Sequence, residues 1–308
     1  MADKPIQHGA DSRLEIESSF KDRLAYLGRL FWRDRTGVIG IIIFISVLIA
    51  ALFAESLTPY QPLDQDLHAS KMPPMWQEGG MPEHPLGTDN LGRDMMARLI
   101  YGARVSLGVS FFGALIAAVI GVFLGAVSAY AGGRWDEIIM APVNLVLSLP
   151  YLLFVVFIAS VLGSSLLNVI LIFGVTNSPI FARVTRGEVL KIRQSAYVES
   201  AISAGARWWR VLLFHVMPNL VGPLVTLISF QISAMIFYEA GLGFIGLSVP
   251  PTVPSWGNML AEGRRYIASY PWLTTMPGLA IMYTSLGMNL LGDWLRDVAD
   301  PRTRRSGR

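Results

Sequence analysis

Five long windows of this chain carry no charged side chain: 36–54, 105–133, 138–182, 211–238 and 266–292. A bilayer core of about 30 Å needs roughly 20 apolar residues in a helix, so each window is long enough to cross. The third holds 45 residues and is too long for one pass. Its "LGSSLLN" at 162–168 has the small, turn-forming residues of a tight reversal, which divides the window in two. The pattern therefore predicts an all-α membrane protein with six transmembrane helices.

Two segments test that number. Residues 240–261 are also free of charge, but Pro250, Pro251 and Pro254 break a helix there, and the stretch reads as an ordered external loop. The first window is long for a secretory signal and follows a charged leader of about 35 residues, so it reads as an uncleaved span. Before it, Leu14, Ile16, Phe20, Leu24, Leu27, Leu30 and Phe31 recur at helical spacing among charged residues. An amphipathic helix against the lipids of the inner leaflet fits this spacing, as does a cytosolic partner helix.

Charge sets the orientation. With both ends cytoplasmic, nineteen lysines and arginines lie inside, and six lie outside: Lys71, Arg93, Arg98, Arg104, Arg264 and Arg265. The expected organisation is a cytoplasmic segment 1–36, a first span 37–56 and an external loop with an elbow 57–103. A five-helix core 104–294 with a cytoplasmic loop 183–218 follows, and then a basic tail 295–308. Composition agrees, at 53% hydrophobic and 15% charged residues with a mean hydropathy of +0.47.

Several chemistries drop out. The chain has no cysteine, which removes disulfides and thiolate sites, and His8, His68, His84 and His215 lack ligand spacing. No "GK" occurs, so there is no Walker A loop, and neither a cofactor nor a nucleic-acid partner is expected. "GLGFIG" at 241–246 fits a dinucleotide fingerprint but follows an apolar helix. Its glycines suit close packing or a kink at the outer end of span five.

The segment "YVESAISAGARWWRVLLFHVMPN" at 197–219 belongs to neither neighbouring apolar region. Val189, Ile192, Ala196, Ser200 and Ser203 fall near one helical face, and Gly205 can end a helix and turn the chain. Trp208 and Trp209, flanked by Arg207 and Arg210, suit the headgroup level, and Pro218 suits the first turn of span five. The prediction is a helix, a sharp turn and a second helix held against the inner membrane face. Its small residues allow close approach by another protein, and Glu199 supplies one charge for an ion pair; a self-packed connector fits the same pattern.

"E-S-A-x3-G" at Glu199 to Gly205, followed by "H-V-M-P" at His215 to Pro218, resembles the EAA loop of ABC-importer permeases. Glu199, Ala201, Gly205 and Pro218 match that signature at full spacing, while Ser200, His215 and Met217 depart from it. Three more stretches resemble the second permease subunit of the dipeptide, oligopeptide and nickel branch. They are "HPLGTDNLGRDMMARLIYGARVSLGVS" from His84, "EAGLGFIGLSVPPTVPSWGNML" from Glu239 and "PGLAIMYTSLGMNLLGDWLRDVADPR" from Pro277.

The resemblance implies a type I importer fold in the bacterial inner membrane, with a second homologous permease, ATPase subunits beneath and a substrate-binding protein above. ATP and magnesium would be bound by the ATPases. Glu199, Ser200, Ala201, Gly205 and Pro218 would form the coupling element on the ATPase. The cargo would be peptides, nickel complexes or small glycans.

For the path, the residues themselves offer Glu239, Gln231 and Asn177. Glu239 reads either as a pathway group or as an outer-interface residue. Asn144, Asn168, Asn177, Ser178 and Gln231 either line the cavity or bond helix to helix. Gly121 and Gly125, with Gly108 and Gly113, give span two faces for close helix approach. The external "HPLGTDNLGRDMMARL" reads as an elbow, for scaffolding or for docking. A secondary carrier or channel using Glu239 as an ion relay is the rival function, although the windows hold few ionisable groups.

Overall fold

The computed structural model describes residues 35–299. The amphipathic segment expected before residue 35 and the tail beyond 299 lie outside the described residues. Among the described residues there is no strand, only an isolated bridge between Thr88 and Asp94.

The long helices are α1 (Arg35–Leu52), followed after a short helix α2 (Ala54–Leu57) by α3 (Met95–Ala131), then α4 (Gly133–Ser148), α5 (Tyr151–Leu162) and α6 (Leu166–Arg193). Two short helices follow, α7 (Ala196–Ser203) and α8 (Trp208–Val211). A π-turn at Leu212–Val216 then leads into α9 (Met217–Phe244), α10 (Trp256–Gly263) and α11 (Trp272–Ala299). Four of these runs are long and apolar enough to cross alone, and α4 with α5 makes a fifth, bent by 97°. Helix α11, at 28 residues, is also long enough to cross, but Thr274, Thr275, Thr284 and Ser285 make it less apolar than those five.

Helix α3 is the spine. At 37 residues it is about 55 Å long, so its first turns project well beyond a 30 Å core. The expected elbow is thus no separate helix: Asp94 caps α3 by accepting from the Ala97 N–H at 2.6 Å, and the helix runs on unbroken through residue 104. Along its length α3 packs on α6. A Cβ on Gly121 would overlap Phe181 and the Ser178 carbonyl, and one on Gly125 would overlap the Ala182 carbonyl. The glycine face expected from sequence is therefore used, and its partner is a helix of this same chain. Helix α9 packs between α3 and α11, and α1 lies on α11.

Two local expectations need correction and a third needs refinement. The third span is broken at Leu149-Pro150, because Pro150 lacks an N–H and forces the residue before it into an extended conformation; Leu149 has φ −83° and ψ 145°. The fourth span runs to Arg193, well beyond the last uncharged residue at 182, since Arg183 and Arg186 find partners on α4. Val189 and Ile192 therefore belong to α6 and not to the helix that carries Ser200. Pro218 does sit in the first turn of α9, where its missing N–H costs nothing, but helical turns already precede it. Trp209–Phe244 is one continuous helical run, and Pro218 sits just after the π-turn, where the Met217 N–H reaches back to Leu212. The reversal at 162–168 is present: Ser165 caps α6, and Asn168 Nδ2 donates to the carbonyls of Leu162 and Gly163 at 2.8 and 3.1 Å.

Candidate functional site: a cytoplasmic elbow and a closed outer half

The cytoplasmic elbow is built from a small anchor. Val198 of α7 is buried in a cluster with Ala126 and Ala129 of α3, Val189 of α6, and Val211, Val216 and Leu220 at the base of span five. Elsewhere α7 is open: Ala196, Tyr197, Glu199, Ser200, Ile202 and Ser203 are exposed, and Ala201 is half-buried. The Ala204 N–H donates to Ser200 and the Gly205 N–H to Ile202, after which Gly205 turns the chain at φ +82°. A β-carbon there would touch nothing, so the glycine is required by backbone geometry and not by crowding. Asn219 Nδ2 donates to the His215 carbonyl at 2.7 Å, within the π-turn above the elbow.

Glu239 lies fully buried near the outer end of α9. Its carboxylate accepts from Ser106 of α3 at 2.9 Å and from Ser248 of the external loop at 3.0 Å. Ser106 Oγ also receives the backbone N–H of Trp256 at 3.4 Å. One carboxylate thus joins α3, α9 and the start of α10. Serine hydroxyls are short donors, and both point inward because the outer loop folds back: Asn258 Nδ2 donates to the carbonyls of Val249, Pro250 and Val253 at 3.1–3.2 Å. Gly243 meets the Gly257 backbone, and Gly246, at φ +81°, turns the chain out of α9. The "GLGFIG" run therefore supplies both a close approach and a turn.

Asn177 and Gln231 meet one another. Gln231 Nε2 donates to Asn177 Oδ1 at 3.1 Å, and Asn177 Nδ2 donates to Tyr151 Oη at 2.7 Å. The chain of bonds crosses α9, α6 and α5 just after the Pro150 break, where the Tyr151 ring also lies 4.4 Å from that of Tyr238. Both residues thus bond helix to helix, and Asn177 Nδ2 also donates to the Phe173 carbonyl of its own helix at 2.9 Å. Asn144 pairs with Arg183 at 2.9 Å, and Ser178 bonds the carbonyl of Val175.

Sequence reasoning missed two ionic clusters. On the outer side, Asp89 accepts from Arg93 Nε at 2.6 Å and from Arg98 at 2.5 Å, and Glu262 of α10 accepts from both arginines at 2.6 Å. Asp89, Arg93 and Arg98 are buried, so these charges fasten the start of α3 to α10. On the inner side, Arg186 forks onto Asp136 at 2.7 and 2.5 Å, and Ser128 bonds the same carboxylate, fixing α4 on α6 and α3. The local signal for the first cluster was the spacing of Asp89, Arg93 and Arg98, with Asp89 and Arg93 four residues apart.

Residues 117–305 match the family described as the binding-protein-dependent transport system inner membrane component. The chain belongs to that family. Residues 24–74 also match the N-terminal transmembrane domain of oligopeptide transport permease C. The chain is 37% identical over 274 residues to the dipeptide transport system permease protein DppC of Haemophilus influenzae, covering 89% of this chain and 93% of that protein. It is equally similar, over 278 residues, to the di/tripeptide permease DppC of Pseudomonas aeruginosa, with 89% and 92% covered. Among solved structures, an inward-facing MetNI methionine ABC transporter aligns with a TM-score of 0.57 at 19% identity, over 67% of this chain and 98% of that one. That likeness establishes the type I ABC-importer permease fold.

As a family member the chain is a multi-pass inner-membrane permease subunit of an ATP-driven, binding-protein-dependent importer. It is not an enzyme, and ATP hydrolysis resides on a separate subunit. The resemblance read from Glu199, Gly205 and Pro218 is thus confirmed at the level of the family, and the carrier or channel alternative has no support.

Proposed function

We propose that this permease is one half of the translocation path of a peptide importer and that α7 is the element through which ATPase subunits drive it. Peptide cargo is supported by the names of the relatives, which are dipeptide and di/tripeptide permeases. A second, homologous permease is supported by the unpartnered apolar faces of α4 and α5, where Leu145, Leu152, Leu153, Phe157 and Val161 are exposed. ATP and magnesium belong on the ATPases.

The observation that carries the coupling role is the elbow's imbalance. An eight-residue helix is far too short to be stable alone in water, yet α7 buries only Val198 in this chain. Its open face carries Glu199 and Ser200, with the small Ala201 beside them and the Gly205 turn below. Such a surface accepts a groove wall at close range, and Glu199 offers an anion to a basic partner. Pro218, at the root of the same run, stiffens the link into span five. Glu239, Gln231 and Asn177 act on this reading by holding the outer and middle helices that rock during transport.

Because the natural chain has no thiol, Ser200→Cys places a single probe on the open face. In the assembled transporter it should crosslink to an ATPase subunit, with a yield that changes on ATP addition. A probe that labels only from outside the cell, or never reaches an ATPase, overturns the reading.

A further inference from the structure

On the cytoplasmic half of the bundle an apolar groove of about 570 Å3 runs between α3 and the base of span five. That volume lies within the roughly 300–1,000 Å3 typical of small-molecule sites. Val119, Phe123 and Val127 form one wall, Leu213 and Met217 form the other, and Trp209 stands at the cytoplasmic end. Every side chain lining it is apolar, and Val119, Phe123 and Leu213 are exposed, so the groove opens to the outside of the bundle. From residue 119 to 127 it spans about 12 Å at 1.5 Å per residue. That is close to the depth of one leaflet's hydrocarbon, about 15 Å.

The cytoplasmic end is basic. The Arg210 guanidinium lies 5.9 Å from the Trp209 ring, and both Arg207 and Arg210 are exposed. Neither joins the ion pairs found among the described residues. An apolar slot one leaflet deep, ending in a tryptophan and two unpaired cations, matches an amphiphile with one long tail segment and an anionic head.

We propose that this groove binds an anionic phospholipid of the cytoplasmic leaflet, one acyl chain lying along Val119, Phe123 and Leu213 and the phosphate meeting Arg210 and Arg207. A helix from a second permease would fill the slot but would leave the two cations without a counter-charge. The lipid satisfies both halves of the site at once.

The test uses the full-length permease purified with its partner subunits, exchanged into mixed vesicles of palmitoyl-oleoyl phosphatidylglycerol and phosphatidylcholine, then extracted for native mass spectrometry. The wild type should retain phosphatidylglycerol in preference to phosphatidylcholine. Each basic residue beside an anionic lipid is worth about fivefold in binding, so Arg207→Gln with Arg210→Gln should lower that retention about 25-fold. Arg207→Lys with Arg210→Lys should keep most of it, and Val122→Trp should displace the lipid while leaving both arginines in place. Equal retention of the two lipids by the wild type, or unchanged retention in the Gln pair, overturns the proposal. A photocrosslinker at Val122 gives an independent reading: linkage to lipid supports the site, and linkage to the second permease or an ATPase overturns it.

Discussion

Asn219 donates from Nδ2 to the phenol oxygen of Tyr197 at 3.3 Å, so a side chain at the root of span five holds the exposed elbow helix from above. The same amide bonds the His215 carbonyl, and His215 sits in the π-turn where regular α-helical bonding gives way. If α7 is pushed by an ATPase, this amide is one of the few polar links that carry the push into the fifth crossing. A solvent-exposed hydrogen bond is worth about 0.5–1.5 kcal/mol, or roughly two- to twelvefold. Asn219→Leu should therefore lower substrate uptake per ATP hydrolysed several-fold with unchanged amounts of protein in the membrane. Tyr197→Phe removes the shared bond but leaves the Asn219–His215 bond, so its loss should be smaller, and the double variant should be no worse than Asn219→Leu alone. Additive losses in transport assays would separate the two residues and remove the link.

Gly205 gives a graded prediction. Its φ of +82° is costly for any residue with a β-carbon, by roughly 1–2 kcal/mol, yet no neighbouring atom crowds the position. Asn, which tolerates left-handed backbone best, should keep most transport, Val should keep little, and Pro should abolish it. Pro fails twice, since its φ is fixed near −65° and it removes the N–H that donates to Ile202 at 2.9 Å. Insertion and abundance should match wild type in all three. Uptake in cells reads the order, and a Val variant as active as the Asn variant would contradict the geometric argument.

The elbow was legible in the sequence because its signals are local: a glycine for the turn, small residues around Glu199, and Trp208 with Trp209 between two arginines. The reversal at Gly163 was legible for the same reason. The break at Leu149-Pro150 was missed because a search for uncharged windows measures composition and is blind to direction, although Pro150 itself was the signal. The end of α6 was misplaced by eleven residues because charge marks the membrane boundary and not the end of the helix. In the cluster of Asp89, Arg93, Arg98 and Glu262 the place of Glu262 could not be read, since it lies more than 160 residues from both arginines and meets them only after α10 folds onto α3.

That outer cluster should be the most sensitive part of the external face. Two carboxylates and two guanidiniums balance, and Arg98 is 1% exposed. Removing one partner of such a buried set leaves a charge without compensation, at a cost of about 3–5 kcal/mol. Asp89→Asn keeps the shape and loses the charge, so it should lower the melting temperature of the detergent-purified protein markedly. Glu262→Gln should cost less, because the Glu262 side chain is 26% exposed and water can replace part of its role. A Glu262 variant less stable than the Asp89 variant would show that burial does not govern this network.

Glu239 separates a pathway role from a scaffold role by the order of two substitutions. Its carboxylate is the shared acceptor for Ser106 and Ser248, and nothing among the described residues places an opposite charge against it. Glu239→Leu leaves two buried hydroxyls without that acceptor, at about 1–3 kcal/mol each, and should lower the melting temperature of the purified protein strongly. Glu239→Gln keeps the shape and one carbonyl oxygen, and the serine facing its NH2 group can rotate to accept, so its stability should stay close to wild type. The same Gln variant then reports on function free of any folding defect. If Glu239 only holds α3, α9 and the outer loop together, uptake and binding-protein-stimulated ATP hydrolysis stay near wild type. If the carboxylate charge meets substrate or gates the outer cavity, both fall while the melting temperature does not, and the buried serine cage becomes the closed state of a pathway group.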